Sequence, residues 1–314
     1  MSKRALILGI GGQDGSYLAE ILLEKQYEVH GLYRRSSCDN LWRIRRLLNL
    51  NQGTLHKGDL ADPQSVERVI RLVYRVNDTN SLEIYNEADQ DDAGWSHSIP
   101  SYSFDITAGA VGRLLESVRR IDPKIRVFQP LSALMFGDAV PPQNESTPFR
   151  PQSPFAIAKT AAYHLCRMYR EQYGLFISTG IFYNHDSPAR SSDYVLHKIC
   201  RAAVRIASGK QQELVHGNFD QRIVIGYGKD FMEAGWSILQ LDYPDDFVVG
   251  TGVAWTIEEM VNLAFYVAGC NNGHIRVNPS LNKPGPRTIL IADTTKARAA
   301  GVTLPGTGIG ELVE

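Results

Sequence analysis

A glycine-rich segment near the amino terminus has the spacing of a phosphate-binding turn. Gly9, Gly12 and Gly15 follow a short apolar run and precede a stretch in which apolar residues recur at helical spacing. Glycines at these positions permit a tight turn, a close approach of the backbone to pyrophosphate and close helix packing, with the helix N-terminus facing the anion. Residues 9–15, including Gln13 and Asp14, therefore predict a dinucleotide-binding turn. A merely structural turn is the alternative.

Two arginines after the second predicted strand indicate which dinucleotide is bound. Arg34, Arg35 and Ser36 stand where an NAD-binding chain usually has an acidic residue for the ribose hydroxyl. Guanidinium groups bind a 2′-phosphate well, so the sequence predicts NADP as the cofactor. A pair of solvated loop residues is the alternative. Asp59 and Leu60, at the end of the third predicted strand, are expected to meet the adenine.

Strand-like and helix-like segments alternate along the first part of the chain. The apolar runs are short and lie at residues 4–10, 27–33, 54–56, 82–85, 125–129 and 175–182. Helical patterns between them predict an α/β fold, a Rossmann-like doubly wound parallel sheet with helices on both faces. From about residue 184 loop-rich segments with isolated helices follow. We predict an NADP-binding domain over residues 1–183 and a smaller substrate-binding region over residues 184–314, some of which returns to the first domain.

The composition excludes several classes of protein. The 314 residues are 43% hydrophobic and 21% charged, with 33 Lys+Arg against 34 Asp+Glu, which is typical of a folded protein without affinity for nucleic acid or acidic membranes. No apolar run reaches the roughly 18 residues that a membrane span requires. The four cysteines lie far apart, which predicts buried fillers rather than a metal site, and a cytoplasmic location: Cys38, Cys166, Cys200 and Cys270.

Segments along almost the whole chain match the motifs of one family. They include the glycine turn with the arginines after it, KGDLAD at residues 57–62, STPFRPQSPFAIAK at 146–159, YREQYG at 169–174, GIFYNHDSP at 180–188 and DTTKAR at 293–298. In these segments the chain resembles the GDP-mannose 4,6-dehydratases, which are extended short-chain dehydrogenase/reductases. The resemblance implies bound NADP, a nucleotide sugar such as GDP-mannose held by the carboxy-terminal region, and assembly as a homodimer or homotetramer. It also implies a lyase reaction, in which C4 of the sugar is oxidised, water leaves from C6 and hydride returns to C6.

The catalytic positions of this family are only partly kept. The resemblance implies that Lys159 binds the nicotinamide ribose and lowers the pKa of a tyrosine four residues before it, on the same helix face. That position is Phe155, which carries no proton. Ser132 occupies the position of an assisting threonine, but Leu134 replaces the glutamate that acts as a base. Since a positioned acid or base contributes about 10²–10⁴-fold, we expect dehydration by the family's route to be severely reduced.

Acidic residues replace neutral ones in the loop after the fourth predicted strand. Where the family reads Asn-Leu-Gly-Ala-Gln-Ser-His-Val, residues 86–93 carry four carboxylates: Glu87, Asp89, Asp91 and Asp92. One of the four could replace the missing base if burial raised its pKa, and a dehydratase would need Asp89, Asp91 or Asp92 to move protons. A solvated acidic loop is the alternative. Tyr163, one turn beyond Lys159, is expected to pack in the core rather than to act as an acid.

Further residues match positions that the resemblance places near the ligands. It implies that His185 lies on the nicotinamide side, with a structural histidine as the alternative. The expected substrate contacts are Ser96, Asn184, Lys198 and Arg222. Arg222 is only a candidate, because the arginine that would clamp the diphosphate is absent and Arg222 stands one position earlier. A late Arg-Pro-x-Glu motif here begins with Lys283, which offers a point charge instead of a bidentate fork.

Three hypotheses follow for the function. The first is a dehydratase-type enzyme with NADP and a rearranged acid/base set, in which Ser132 and Lys159 hold the C4 hydroxyl. The second is a catalytically silent paralogue that binds NADP and a nucleotide sugar and has a regulatory or partner role. The third is a reductase or epimerase acting on a keto sugar. Cofactor binding is expected under the first two, so turnover is the observation that separates them.

Overall fold

A parallel sheet forms the centre of the protein in a computed structural model, which describes residues 2–49, 52–75, 82–281 and 289–314. Its strands are β1 (Arg4–Leu8), β2 (Glu28–Tyr33), β3 (Thr54–Lys57), β4 (Leu82–Asn86), β5 (Arg126–Ser132), β6 (Ile177–Phe182) and, later in the chain, β11 (Asp246–Val249). They pair in the order β3-β2-β1-β4-β5-β6-β11, and every pair is parallel. The strand order reverses between β1 and β4, and ligands of such sheets bind at the carboxyl ends of strands at this point.

Short strand pairs lie outside the central sheet. They are formed by β7 (His185–Asp186) with β10 (Gly226–Tyr227), β8 (Leu214–His216) with β13 (Ile275–Val277), and β9 (Arg222–Val224) with β12 (Ala254–Thr256). Strand β7 closely follows β6 in the chain. The β7–β10 pair therefore lies beyond the carboxyl end of β6.

Helices cover the sheet. They are α1 (Gln13–Glu24), α2 (Arg45–Asn49), α3 (Pro63–Val73), α4 (Pro100–Phe104), α5 (Ala110–Ile121), α6 (Pro154–Tyr173), α7 (Val195–Ala207), α8 (Gly228–Leu239), α9 (Ile257–Val267), α10 (Thr295–Ala299) and α11 (Ile309–Val313). Helix α1 packs against α8, while α3, α5 and α6 pack against one another in succession. No helix in the described ranges combines the length and the apolar character of a membrane span.

The longest helix has clear sequence signals at both ends. The side chain of Ser153 accepts a hydrogen bond from the backbone N–H of Ala156, and Pro154 occupies the first turn of α6. Gly174 ends the helix in the left-handed conformation, with φ of 67°. These signals fix the register of α6, and with it the face on which Lys159 and the residue four positions earlier lie.

Burial follows the pattern predicted for a parallel sheet. Every residue of β1, β4 and β6 is buried. Strands covered on both faces are apolar along their whole length rather than in alternation. The predicted α/β sheet is therefore what the structure contains, and Tyr163 lies in its core as expected.

The carboxy-terminal half divides between the two regions. A second core cluster is built largely from α7 and α9 and includes Ile199, Met260 and Phe265. Helix α8, β11 and α10 instead pack on the first core. The described part of residues 184–314 therefore contributes both to the second core cluster and to the core around the central sheet, and the predicted domain division stays a prediction.

One prediction about the cysteines is wrong. Cys166 is buried, but Cys38 is exposed, and Cys200 and Cys270 are half-buried. Cys38 lies in the exposed loop after β2, beyond the apolar residues of that strand. Only Cys166, on the inner face of α6, is a fully buried filler.

Candidate functional site

The glycine turn lies at the point where the strand order reverses. Gly9 has φ of +82°, and a Cβ placed on it would lie 2.8 Å from the backbone of Ala88, in the loop after β4. A Cβ on Gly15 would lie 2.4 Å from the carbonyl oxygen of Gly9. Gly12 is exposed, at the start of α1. The turn therefore requires glycine for its close packing and leaves the helix N-terminus open to an anion such as pyrophosphate.

Polar contacts join this turn to the chain after β6. The side-chain oxygen of Gln13 accepts a hydrogen bond of 2.7 Å from Ser187, and the side-chain amide of Gln13 donates to Asp14. Nε2 of His185 lies 3.1 Å from Oδ2 of Asp14, and the His185 ring stacks on Phe231. The predicted cofactor residues Gln13, Asp14 and His185 are thus brought together.

The Asp14–His185 contact changes the pKa of both groups. Burial alone would raise the pKa of Asp14, but attraction and hydrogen bonding to His185 lower it to about 2. Burial alone would lower the pKa of His185, but Asp14 raises it above its ordinary value. The pair therefore favours an aspartate ion beside a protonated histidine.

The predicted 2′-phosphate site is open to solvent. Arg34, Arg35 and Ser36 are exposed in the loop after β2. The Arg34 guanidinium donates to the Tyr102 hydroxyl at 3.3 Å. Two guanidinium groups at the end of β2 fit the phosphate of a dinucleotide held by the neighbouring glycine turn.

Asp59 and Leu60 follow β3 at the same edge of the sheet. Oδ1 of Asp59 accepts a hydrogen bond from the backbone N–H of Ala61, so the carboxylate stabilises its own turn. Leu60 is buried, and its carbonyl oxygen accepts hydrogen bonds from the Arg113 guanidinium. Their predicted contact with adenine stays a prediction.

Two arginines near the glycine turn were not predicted from the sequence. The Arg43 guanidinium donates to the carbonyl oxygens of Gly11, at 3.1 Å, and Ala189, at 2.6 Å. Arg190 stacks on the Tyr194 ring, with 3.5 Å between its guanidinium carbon and the ring centroid. The sequence offered one signal for Arg190, which is its position just after the family motif at residues 180–188. Both guanidiniums add positive charge beside the turn.

The positions of the family's acid and base are occupied as the sequence predicts. Phe155 is buried at the start of α6, and its ring centroid lies 5.7 Å from Nζ of Lys159. The Ser132 side chain accepts a hydrogen bond from the backbone N–H of Leu134. Ser132 thereby caps a short 3-10 helix, Ala133–Phe136. Nζ of Lys159 donates to the carbonyl oxygen of Pro130 at 2.9 Å. Lysine and serine therefore approach the crevice without a phenol or a carboxylate at the family's positions.

The acidic loop after β4 supplies Lys159 with a different partner. Oδ2 of Asp89 lies 2.6 Å from Nζ of Lys159, and the Asp89 side chain is only 14% exposed. Oδ1 of Asp89 accepts a hydrogen bond from the Thr107 hydroxyl. Asp91 is 59% exposed and pairs with Arg190 at 3.2 Å, and Asp92 accepts a hydrogen bond from the backbone N–H of Trp95. Of the three aspartates considered as a base, Asp89 is the one that contacts Lys159.

Glu87 is the fourth carboxylate of this loop, and it is not among the three aspartates that the dehydratase hypothesis names as a base. Its Oε1 atom is buried and has no hydrogen-bond partner among the residues that the structure describes. Burial, followed by repulsion from Asp14, raises the pKa of Glu87 to about 8, against the opposing effect of Lys159. The signal available in the sequence was the replacement of an aliphatic residue by glutamate next to the buried strand β4.

The predicted substrate residues lie in different environments. Ser96 is fully buried, donates to the carbonyl oxygen of Ala93 and accepts from the backbone N–H of Phe155 at 3.3 Å. Ser96 therefore holds the start of α6, and its predicted contact with the substrate stays a prediction. Asn184, Lys198 and Arg222 are exposed, in the loop after β6, on α7 and on β9 respectively. Lys283 lies outside the described residues.

Comparisons with known proteins agree on one family. A family model described as GDP-mannose 4,6 dehydratase matches residues 6–301. GDP-mannose 4,6 dehydratase 1 of Arabidopsis thaliana is 41% identical, over 99% of this chain and 88% of that protein. GDP-mannose 4,6-dehydratase of Yersinia enterocolitica is 42% identical, over 85% of this chain and 72% of that protein.

Solved structures share the fold at lower identity. A UDP-glucose 4-epimerase with UDP-glucose from Thermotoga maritima has a TM-score of 0.83 at 20% identity. A dTDP-glucose 4,6-dehydratase from Bacillus anthracis in complex with NAD has a TM-score of 0.83 at 19% identity. Each match covers 99% of this chain and 96% of the other. These two structures confirm the predicted Rossmann-like fold.

Proposed function

Because this chain belongs to the GDP-mannose 4,6-dehydratase family of nucleotide-sugar-modifying enzymes, we propose that it binds NADP and a nucleotide sugar in this crevice, with an altered acid/base set. The observation that carries the proposal is the contact of 2.6 Å between Lys159 and Asp89, beside a phenylalanine at the position of the family's tyrosine. The family's lysine is kept, but its partner has changed from a phenol to a carboxylate.

The phosphate end of the crevice supports NADP as the cofactor. The glycine turn and the N-terminus of α1 suit a pyrophosphate, and Arg34 with Arg35 suits a 2′-phosphate. Arg43 and Arg190 add positive charge beside the turn. When bound, NADP⁺ would accept hydride from C4 of the sugar.

The other end of the crevice supports a change in which side chains accept protons. Ser132 and Lys159 hold the C4 hydroxyl, and its proton passes to Oδ2 of Asp89, the carboxylate oxygen nearest to Lys159. Leu134 offers no base for the C5 proton, so elimination of water is the step most affected. Oxidation at C4 is therefore retained better than dehydration.

A single-turnover experiment with NADP and GDP-mannose tests this function. Absorbance of reduced nicotinamide reports oxidation at C4, and mass spectrometry of the sugar reports loss of water. We expect slow reduction of NADP without a dehydrated sugar, and we expect Asp89→Asn to abolish the reduction. Glu171→Gln, an exposed change of α6, is the control and keeps it.

Two results would change the proposal. Dehydration at a rate typical of enzymes, about 10 s⁻¹, would show that the changed positions do not limit the chemistry. Binding of both ligands with no reduction at any pH would favour the silent paralogue, and release of a sugar inverted at C4 would favour the epimerase.

We also propose assembly into a homodimer or homotetramer. Large apolar side chains are exposed on and near α4 and α6, among them Trp95, Phe104 and Ile157. Exposed apolar groups of this size favour association. Sedimentation of the purified protein tests the proposal, and a monomer at micromolar concentration would contradict it.

A further inference from the structure

The carboxylates of the crevice differ in whether they have a partner of opposite charge. Asp14 lies 3.1 Å from His185, Asp89 lies 2.6 Å from Lys159, and Asp91 lies 3.2 Å from Arg190. Glu87 has no such contact, and its Oε1 atom is both buried and unpaired among the described residues. Among the described residues, Glu87 therefore carries a buried carboxyl oxygen that forms neither an ion pair nor a hydrogen bond.

The loop that carries Glu87 extends from the glycine turn, which its backbone contacts, to Lys159, which Asp89 contacts. The carbonyl oxygen of Glu87 lies 2.8 Å from the position of a Cβ on Gly9, so the loop and the turn are in contact. The charges that act on the Glu87 side chain come from Asp14 on α1, Asp89 on its own loop and Lys159 on α6. A dinucleotide that extends from the turn to Lys159 therefore runs along the loop that carries Glu87.

We propose that this crevice selects the oxidised form of its dinucleotide, NADP⁺, over NADPH, because the cationic nicotinamide ring neutralises Glu87. The proposal rests on the proposed binding of NADP. The two forms differ at the nicotinamide ring, which is positively charged in NADP⁺ and neutral in NADPH. The adenosine, the pyrophosphate and the 2′-phosphate are common to both, so the glycine turn and the arginines do not discriminate between them.

The direction of the pH dependence follows from the same contact. Without ligand, Glu87 is mostly protonated at neutral pH, because its pKa is raised to about 8. A neighbouring cation favours the ionised form, so binding of NADP⁺ releases a proton from Glu87. Affinity for NADP⁺ should rise with pH up to about pH 8 and then level off, whereas affinity for NADPH should lack this component.

Other titrating groups act on both forms of the cofactor. His185, whose pKa Asp14 raises, and the paired Asp89, Asp91, Lys159 and Arg190 remain when Glu87 is changed. The difference between the wild type and Glu87→Gln therefore isolates the contribution of Glu87, because glutamine has nearly the same size and cannot ionise.

Equilibrium titrations of the full chain with three ligands test the proposal. The ligands are NADP⁺, NADPH and 2′-phospho-ADP-ribose, which lacks the nicotinamide, at several values between about pH 6 and about pH 9. We expect the wild type to prefer NADP⁺ over NADPH by about tenfold above pH 8, and Glu87→Gln to lose most of that preference. Both proteins should bind 2′-phospho-ADP-ribose equally, which also shows that the variant is folded. Glu171→Gln removes a carboxylate far along α6 and should change nothing.

The possible failures are distinguishable. If none of the three ligands binds, the proposed function fails. If all three bind but NADP⁺ and NADPH bind equally, or if Glu87→Gln keeps the preference and its pH dependence, the selection by Glu87 is wrong while NADP binding stands.

Discussion

The two ends of the crevice differ in how closely they follow the family. The phosphate end keeps Gly9, Gly12 and Gly15 in a packed turn, and the Arg43 guanidinium donates to the carbonyl oxygen of Gly11 within it. The end near Lys159 has exchanged a phenol and a carboxylate for apolar side chains and has gained acidic residues on the loop after β4. Binding a dinucleotide and moving protons are separate physical tasks, so a chain can retain the first while the second changes.

The largest expected effect comes from restoring the family's groups at the changed end. Leu134→Glu combined with Phe155→Tyr should raise dehydration of GDP-mannose by about 10²–10⁴-fold, because it supplies a base and a phenol near Lys159. The measurement is the rate at which the dehydrated sugar forms. Each single variant is a control and should gain less. An unchanged rate, with cofactor still bound, would mean that the two ends do not differ in the way described.

A smaller effect is expected from a substitution at the phosphate end. Gly9→Ala places a Cβ 2.8 Å from the backbone of Ala88 at a φ of +82°, which costs about 1–3 kcal/mol. The affinity for NADP⁺ should fall about 10–100-fold in a fluorescence titration. Gly306→Ala is the matched control, since no atom lies within 4 Å of its added Cβ. Equal affinities of the two variants for NADP⁺ would show that the turn is not part of the binding site.

The arginines after β2 are expected to make the phosphate end prefer NADP⁺ over NAD⁺. Replacing both Arg34 and Arg35 by alanine should weaken NADP⁺ binding by about tenfold, since charge-assisted hydrogen bonds to the 2′-phosphate are lost. Affinity for NAD⁺, which lacks that phosphate, should stay the same and is the internal control. If both affinities fell together, the arginines would act on the fold rather than on the phosphate.

The smallest effect concerns the pair that joins the turn to β7. The lowered pKa of Asp14 stabilises the fold above about pH 4 and loses this effect as pH falls towards about 2. The raised pKa of His185 stabilises it below about pH 6.5 and loses this effect as pH rises through the folded-state pKa. His185→Gln should therefore lower the free energy of unfolding by about 1 kcal/mol more at pH ~5.5 than at pH ~9.

Denaturant unfolding at the two pH values measures this difference. His164→Gln, an exposed change on α6, should show no such dependence. A loss of stability that is the same at both pH values would mean that packing of the ring against Phe231, rather than its charge, is the contribution of His185.

Prediction from sequence succeeded where the signal is local. The strands and helices of the first half follow from apolar periodicity and from capping residues such as Ser153, whose side chain bonds the third residue of its helix. It was less successful for residues whose role depends on distant partners. The hydroxyl of Ser96 bonds to α6, and Arg43 donates to Gly11 and Ala189, contacts that no local pattern indicates.

The amino-acid sequence alone determined the glycine turn, the alternation of elements and the missing acid and base, because a glycine's freedom and a phenylalanine's lack of a proton are properties of the residues themselves. Only the tertiary structure decided that Asp89 pairs with Lys159, that Asp91 pairs with Arg190 and that Oε1 of Glu87 is buried without a hydrogen-bond partner among the described residues. The physical reason is that ion pairing and burial depend on distances between side chains from different elements, here the loop after β4, α6 and the chain beyond β7.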